Sequence, residues 1–66
     1  MKILLNGDFV ETEDGATVES LLLQLDISRE RVAVELNAEI VPKAEYATQF
    51  FSDDDKIEIV HFVGGG

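Results

Sequence analysis

Alternating hydrophobic and polar residues predict a strand near the end of the chain, from Lys56 to Val63. Successive side chains of a strand point to opposite faces of the sheet. One face then carries Ile57, Ile59, His61 and Val63. The other face carries Glu58, Val60 and Phe62. Because its two isoleucines make the first face the more apolar, we expect that face to pack on the core.

Shorter strands are predicted upstream of this one. The segments Lys2 to Asn6 and Phe9 to Thr12 are joined through Asn6-Gly7, a pair typical of tight hairpin turns, so the chain opens with a β-hairpin. The segment Val32 to Asn37 alternates in the manner of a half-buried strand. A turn then leads into a further short strand at Ile40-Val41.

One helix is predicted, and it begins after Thr17, a residue type favoured as an N-cap. Hydrophobic residues follow at the i, i+3, i+4 and i+7 spacing of a helix face: Val18, Leu21, Leu22 and Leu25. Leu23 lies off this stripe, so we expect it to be partly exposed. The pattern ends at Asp26.

The remaining segments are predicted to be turns. Lys43 to Gln49 has weak periodicity and is expected to contain one short helical piece. The three aspartates of Ser52 to Asp55 are expected to form a solvated turn, since a metal-binding loop needs more ligands at a defined spacing. No metal site is predicted.

The order of the elements, β-β-α-β-β-β, predicts an α+β domain with a mixed sheet covered on one face by a single main helix. This order resembles the β-grasp, or ubiquitin-like, roll, in which the first and last strands lie parallel at the centre of the sheet. We expect residues 1–63 to form this domain. Residues 64–66, the glycine tail, are expected to be flexible.

The helix can cover only one face of the sheet, which leaves apolar side chains on the other. Leu4 from the first strand, and Val60 and Phe62 from the last, are expected there. An exposed apolar cluster on a small protein usually marks an interaction surface, although scattered exposed hydrophobic residues are ordinary. We predict that these three residues bind a partner. His61 is expected to be a partly buried packing residue and not a catalyst.

The composition limits what chemistry the chain can perform. Its 66 residues form one domain. With no cysteine and one histidine, it has no thiol to carry sulfur and no second imidazole for a metal site. No apolar run is long enough to span a bilayer and the N-terminus lacks a signal-peptide pattern, so a soluble, cytoplasmic protein is expected.

The charge of the chain restricts its partners. Fourteen acidic and five basic residues give a net charge of -9. Nucleic acid and anionic membranes are bound through basic patches, so neither is expected as a partner. The charge favours partners with basic docking surfaces, although solubility alone also explains it. We expect a monomer when the protein is free.

The chain ends in Val63-Gly64-Gly65-Gly66, and its one accessible chemical group there is the terminal carboxylate of Gly66. Because glycine has no Cβ, Gly64 and Gly65 can pass through a narrow channel. Fully extended, the three glycines reach roughly 10 Å beyond the last strand. These residues leave two readings open, in which the Gly66 carboxylate is the functional group or the tail is an idle end.

A resemblance to a known family spans the chain and rests on four segments: KILLNG, TVESLLLQL, VAVELNAEIVPKAEY and DKIEIVHFVGGG. They are similar to the sulfur carrier proteins of thiamin biosynthesis, the ThiS family. Two departures are a third glycine in the tail and Asp54, where family members often have glycine. Aspartate tolerates the left-handed backbone better than most residues, so the turn is compatible with it.

The resemblance implies a sulfur carrier that is a protein substrate and not an enzyme. An adenylating enzyme of the ubiquitin-activating type would use ATP and Mg²⁺ to convert the Gly66 carboxylate to an acyl adenylate. Sulfur from the persulfide of a cysteine desulfurase would then replace AMP and leave a thiocarboxylate. Thiazole synthase would receive that sulfur. The carrier itself would bind no cofactor.

Three alternatives stay open. The small subunit of molybdopterin synthase has the same fold and thiocarboxylate, but those chains are generally longer and end differently. A ubiquitin-like interaction module would not use its glycines chemically. A ubiquitin-like modifier would become conjugated to lysines of other proteins.

Overall fold

A five-stranded mixed sheet is the framework of the fold in the computed structural model, which describes residues 1–62. In chain order the elements are β1 (Lys2–Leu5), β2 (Asp8–Glu11), α1 (Val18–Gln24), β3 (Val32–Leu36), β4 (Glu39–Ile40) and β5 (Lys56–His61). Short 3-10 turns lie at Arg29–Arg31 and Lys43–Glu45. The strand order across the sheet is β2-β1-β5-β3-β4, and β1 runs parallel to β5. The predicted element order and the parallel pairing of the first and last strands are confirmed.

Two tight turns of one type shape the hairpins at opposite edges of the sheet. In the first, Asn6 and Gly7 have φ values of 48° and 89°. In the second, between β3 and β4, Asn37 and Ala38 have φ values of 51° and 72°. Positive φ at both central residues defines the type I′ turn, whose twist matches that of the flanking strands. The Asn6-Gly7 hairpin was predicted, and its register pairs Leu5 with Asp8.

Local hydrogen bonds define both ends of the seven-residue helix α1. At its start, Thr17 Oγ1 accepts from the Ser20 N–H at 3.1 Å, and Ser20 Oγ accepts from the Thr17 N–H at 2.8 Å. This reciprocal pair satisfies two amide groups that have no partner within the helix. At its end, Asp26 has a φ of 56°, and the Ile27 N–H donates to the Leu22 carbonyl at 2.9 Å. The predicted N-cap and helix end are confirmed.

The core lies between α1 and the face of the sheet that it covers. Its buried hydrophobic residues are Ile3, Ala16, Val18, Leu21, Leu22, Val32, Val34, Val41, Tyr46, Phe51, Ile57 and Ile59. Tyr46, 1% exposed, and Phe51, 6% exposed, were not predicted as core residues, because no periodicity marks them in their irregular segment. Leu23, which was predicted to be partly exposed, is 76% exposed.

His61 is exposed, so the prediction that it is a partly buried packing residue is wrong. The reason is that β5 extends beyond the end of β1. Strand β1 pairs with β5 only through Lys56 and Ile57, whereas β3 remains paired as far as His61. His61 therefore has a neighbouring strand on one side only, at the end of the sheet.

The turn before β5 is solvated, as predicted, and its aspartates also fix the start of that strand. The Asp53 carboxylate accepts from the Lys2 N–H at 3.0 Å, and the Asp55 carboxylate accepts from the Ser52 N–H at 2.7 Å. Asp54 has a φ of 67° and adopts the left-handed conformation expected of it. Among residues 1–62, no group of three or more acidic, histidine or cysteine side chains is arranged to hold a metal ion. No helix in the same region has the length and apolar character needed to cross a membrane.

Substitutions in the two type I′ turns should change the stability of the protein in opposite directions. Gly7→Ala should lower the free energy of unfolding by about 1 kcal/mol, and Ala38→Gly should raise it by about 0.5 kcal/mol. Steric clash does not enter, because a Cβ added at Gly7 meets no atom within 4 Å. Urea denaturation of both variants and the wild type provides the measurement. Ala38→Gly removes the strain of a left-handed backbone from the folded state but raises the chain entropy of the unfolded state, and we expect the first effect to be larger. A loss of stability in both variants would contradict this expectation.

Candidate functional site

The face of the sheet opposite α1 is uncovered, and we call it the open face. Strand register assigns to it the residues whose neighbours along each strand point into the core. These residues are Lys2, Leu4, Phe9, Glu11, Ala33, Glu35, Ile40, Lys56, Glu58 and Val60. Phe62 continues the alternation of β5, and its N–H donates to the Arg31 carbonyl at 2.9 Å.

The structure places the predicted partner-binding residues in two separate parts of the open face. Val60 and Phe62 are 54% and 59% exposed and lie together at the end of β5. Leu4 is half-buried and lies beside Lys56. Lys56 precedes Val60 by four residues on β5, so Leu4 and Val60 are separated by about 13 Å along the strand direction. The predicted site residues Gly64, Gly65 and Gly66 lie outside the described residues.

Two further exposed hydrophobic residues on this face were missed by the sequence reasoning. Phe9 lies opposite Leu4 and Ile40 lies opposite Glu35, and each is 64% exposed. Phe9 could have been found by counting back from the Asn6-Gly7 turn, since that turn fixes the register of the hairpin. The open face therefore has one apolar patch formed by Leu4 and Phe9, and a second formed by Val60 and Phe62.

The side chain of Asn6 supports the part of β5 that extends beyond β1. Its Nδ2 donates to the Ile59 carbonyl at 3.2 Å, and its Oδ1 accepts from the Ile59 N–H at 2.9 Å. The amide group thus supplies the donor and the acceptor that a further residue of β1 would have supplied. From the sequence, Asn6 was interpreted only as a turn residue.

The side chain of Lys43 contacts the segment that lies beside the end of β5, on the β3 side. Its ammonium group donates to the carbonyls of Arg29, at 2.6 Å, and Val32, at 2.9 Å. The Arg29 guanidinium donates in return to the Lys43 carbonyl at 2.7 Å. The Lys43 ammonium also lies 5.6 Å from the centre of the Phe62 ring, within range of a cation–π interaction. The backbone and the ring of Phe62 are therefore both held just before the last four residues of the chain.

These features define a class of protein. A mixed sheet with parallel first and last strands, covered by one helix, is the β-grasp fold. The structure is similar to the crystal structure of the thiamine biosynthesis protein ThiS of Geobacter metallireducens, with a TM-score of 0.85 and 30% identity over the whole of both chains. The predicted β-grasp fold is confirmed.

Comparison with known families identifies the group within this class. The model of the ThiS family matches residues 3–66, so the chain belongs to the ThiS family. The sulfur carrier protein ThiS of Bacillus subtilis is 44% identical over 94% of this chain and 96% of its own length. The sulfur carrier protein ThiS of Escherichia coli is 35% identical over 100% of both.

A second kind of relative is longer. A thiazole synthase of Paramagnetospirillum magneticum is 48% identical over the whole of this chain. The chain spans 20% of the length of that protein, and 20% of a thiazole synthase of Magnetococcus marinus that is 47% identical. A segment similar to this chain is thus part of a larger polypeptide in those two proteins.

The contacts of Asn6 generate a prediction about the end of β5. Asn6→Gly preserves a residue that accepts the φ of 48° but removes both hydrogen bonds to Ile59. The free energy of unfolding should fall by about 1–3 kcal/mol, and hydrogen exchange of the Ile59 amide should accelerate. Asn6→Asp retains an acceptor for that amide, so it should protect Ile59 better than Asn6→Gly does. Equal exchange of Ile59 in the wild type and Asn6→Gly would contradict the role of the side chain.

Proposed function

We propose that this chain is a sulfur carrier of thiamin biosynthesis whose Gly66 carboxylate becomes a thiocarboxylate. The observation that supports this most directly is the match to the ThiS family over residues 3–66, which includes the glycine tail. The two sulfur carrier proteins of Bacillus subtilis and Escherichia coli match it along nearly their whole length. The chain would act as a co-substrate of partner enzymes and not as a catalyst.

The chemistry of the chain fits this role. A carboxylate is a poor electrophile, so Gly66 must be activated before sulfur can be attached to it. We assign activation to an adenylating enzyme that uses ATP and Mg²⁺, which forms the acyl adenylate and releases pyrophosphate. The terminal sulfur of a cysteine desulfurase persulfide then attacks the acyl carbon and displaces AMP, which gives an acyl disulfide. A second thiol, from a partner enzyme or an added reductant, cleaves that disulfide and leaves the thiocarboxylate on Gly66 and a disulfide on the thiols. Since the chain has no cysteine, its terminus is the group on which it would carry sulfur.

Thiazole synthase is the proposed acceptor of the sulfur. The support comes from the two relatives named thiazole synthase, which contain a segment 47% and 48% identical to this chain. A carrier and its acceptor must be held close together at the moment of transfer, and joining them in one polypeptide raises their effective concentration.

Recognition of the domain is assigned to the open face. Val60 and Phe62 are exposed on the strand that leads into the glycine tail, so a partner that covers them also receives the tail. The absence of side chains from Gly64 and Gly65 lets the carboxylate enter a narrow active site. Leu4 and Phe9 offer a second apolar contact on the same face.

Mass spectrometry tests the proposed chemistry. After incubation with ATP, Mg²⁺, an adenylating enzyme, a persulfide source and a thiol reductant, the intact mass should increase by the difference between sulfur and oxygen. Fragmentation should place the change at Gly66. A variant that lacks Gly65 and Gly66 should remain unmodified while its circular dichroism spectrum is unchanged. The Bacillus subtilis sulfur carrier serves as the positive control, and modification of that protein alone would contradict the proposal.

A substitution on the open face tests the docking role. Phe62→Asp should weaken binding to the adenylating enzyme about tenfold or more, because exposed aromatic residues often dominate an interface. The variant should remain folded, since Phe62 is already 59% exposed. Phe50→Asp is the matched control, because Phe50 is 58% exposed but lies beside Thr17 at the start of α1. Calorimetric titration measures both affinities, and equal affinities would show that Phe62 does not contact the partner.

A further inference from the structure

The hydrogen bond just after the end of β5 is made to a turn and not to a strand. The Phe62 N–H donates to the carbonyl of Arg31 at 2.9 Å, and Arg31 is the last residue of the 3-10 turn Arg29–Arg31. Strand β1 pairs with β5 only at Lys56 and Ile57, so the end of β5 has a neighbouring strand on one side only. The position of Phe62 therefore depends on how firmly the turn is held.

The ammonium group of Lys43 holds that turn on both sides of Arg31. It donates to the carbonyl of Arg29 at 2.6 Å and to the carbonyl of Val32 at 2.9 Å. The Arg29 guanidinium donates in return to the Lys43 carbonyl at 2.7 Å. The same ammonium group lies 5.6 Å from the centre of the Phe62 ring, a distance at which a cation is attracted to an aromatic face. One side chain thus restrains both the acceptor of the Phe62 amide and the Phe62 ring.

The contacts of Lys43 favour a positioning role over a catalytic one. Two backbone carbonyls accept from its ammonium group, which has three donors in all. The side chain is half-buried, and its ammonium group lies 5.9 Å and 5.6 Å from the ring centres of Tyr46 and Phe62. A cation that stabilises a phosphate or an acyl oxygen must direct its donors at the reacting atoms. Lys43 directs them at the backbone of its own chain.

The length of the chain limits how far the terminal carboxylate can lie from Phe62. Gly66 is four residues after Phe62, so its carboxylate lies within roughly 14 Å of Phe62, whatever the path between them. If Phe62 and His61 detached from the sheet, Val60 would be the last restrained residue, and this limit would rise to roughly 20 Å. The volume open to the carboxylate would grow about threefold, and its effective concentration at the active site of a bound partner would fall by the same factor.

We propose that Lys43 is a positioning residue for the activation of Gly66. By fixing the turn Arg29–Arg31 and the ring of Phe62, it sets the point from which the terminus reaches the active site of the adenylating enzyme. This inference rests on the proposed function and concerns the step after the domain has bound. Loss of Lys43 should therefore lower kcat at saturating carrier, whereas loss of a residue that only contributes to binding would raise KM.

The experiment compares Lys43→Met with Arg31→Met. Both variants lose one positive charge from the same region, but Arg31 is exposed, and its substitution keeps the carbonyl that accepts from Phe62. The measurements are the hydrogen-exchange rate of the Phe62 amide and the kinetics of ATP-dependent pyrophosphate release by the adenylating enzyme, at a temperature where circular dichroism shows each variant folded. For Lys43→Met we expect exchange at least about tenfold faster and kcat at least about threefold lower. For Arg31→Met we expect both quantities within about twofold of the wild type.

Two further variants test the same contacts more gently. Lys43→Arg keeps a cation with several donors, so the Phe62 exchange rate and kcat should both return toward the wild-type values. Arg29→Met removes the return bond to the Lys43 carbonyl but leaves the Lys43 ammonium group in place, so both changes should be smaller than in Lys43→Met. It takes the place of Lys43→Met if that variant does not fold.

The outcomes separate this inference from the proposed function. An unchanged kcat in Lys43→Met would overturn the inference, whether or not the Phe62 amide exchanges faster and whether or not KM rises. An equal loss in Arg31→Met would also overturn it, since the effect would then come from net charge. In each of these cases the wild type would still be modified at Gly66, so the proposed function would stand. Absence of ATP-dependent modification of the wild type would instead remove the proposed function and this inference with it.

Discussion

The parallel contact between β1 and β5 is the constraint on which the rest of the fold depends. It joins the start of the chain to its last strand through only two register pairs, Leu4 with Lys56 and Leu5 with Ile57. Backbone bonds from Leu4 to Asp55 and from Asn6 to Ile57 complete the ladder. Because parallel strands cannot be joined by a tight turn, the chain must cross over between them, and α1 lies in that crossover.

This contact also determines the position of β5 in the sheet. Strand β5 becomes the central strand of the sheet, with β1 on one side and β3 on the other. It extends past β1, where the Asn6 side chain and the last residues of β3 hold it. The described part of the chain therefore ends on the central strand of the sheet, which neighbouring strands and the Asn6 side chain support.

Elements with a clear period or cap were predictable from the sequence, because local physics specifies them. The hairpin follows from Asn6-Gly7, and the start of α1 follows from Thr17 and the apolar stripe behind it. Tyr46 and Phe51 are buried by tertiary packing alone, and nothing in their irregular segment could have identified them. The exposure of His61 depends on how far β1 extends, which strand pairing determines and hydrophobic pattern does not.

The candidate site was predictable to a similar degree. The alternation of β5 placed Val60 and Phe62 on one exposed face, since the period of a strand needs no knowledge of its neighbours. The separation of Leu4 from them, and the meeting of Glu35 with Glu58, depend on the register between strands. The contact of Lys43 with Phe62 joins positions far apart in sequence, for which no local signal exists.

The proposed chemistry requires that the carrier bind two enzymes in turn through one terminus. A complex that is too tight would delay transfer to the second enzyme, because dissociation sets the lifetime of most complexes. When an interface consists of apolar contacts alone, its affinity depends little on which partner is bound. In the proposed function, the exposed face between Leu4 and Phe62 would therefore have to combine recognition of each enzyme with release from it.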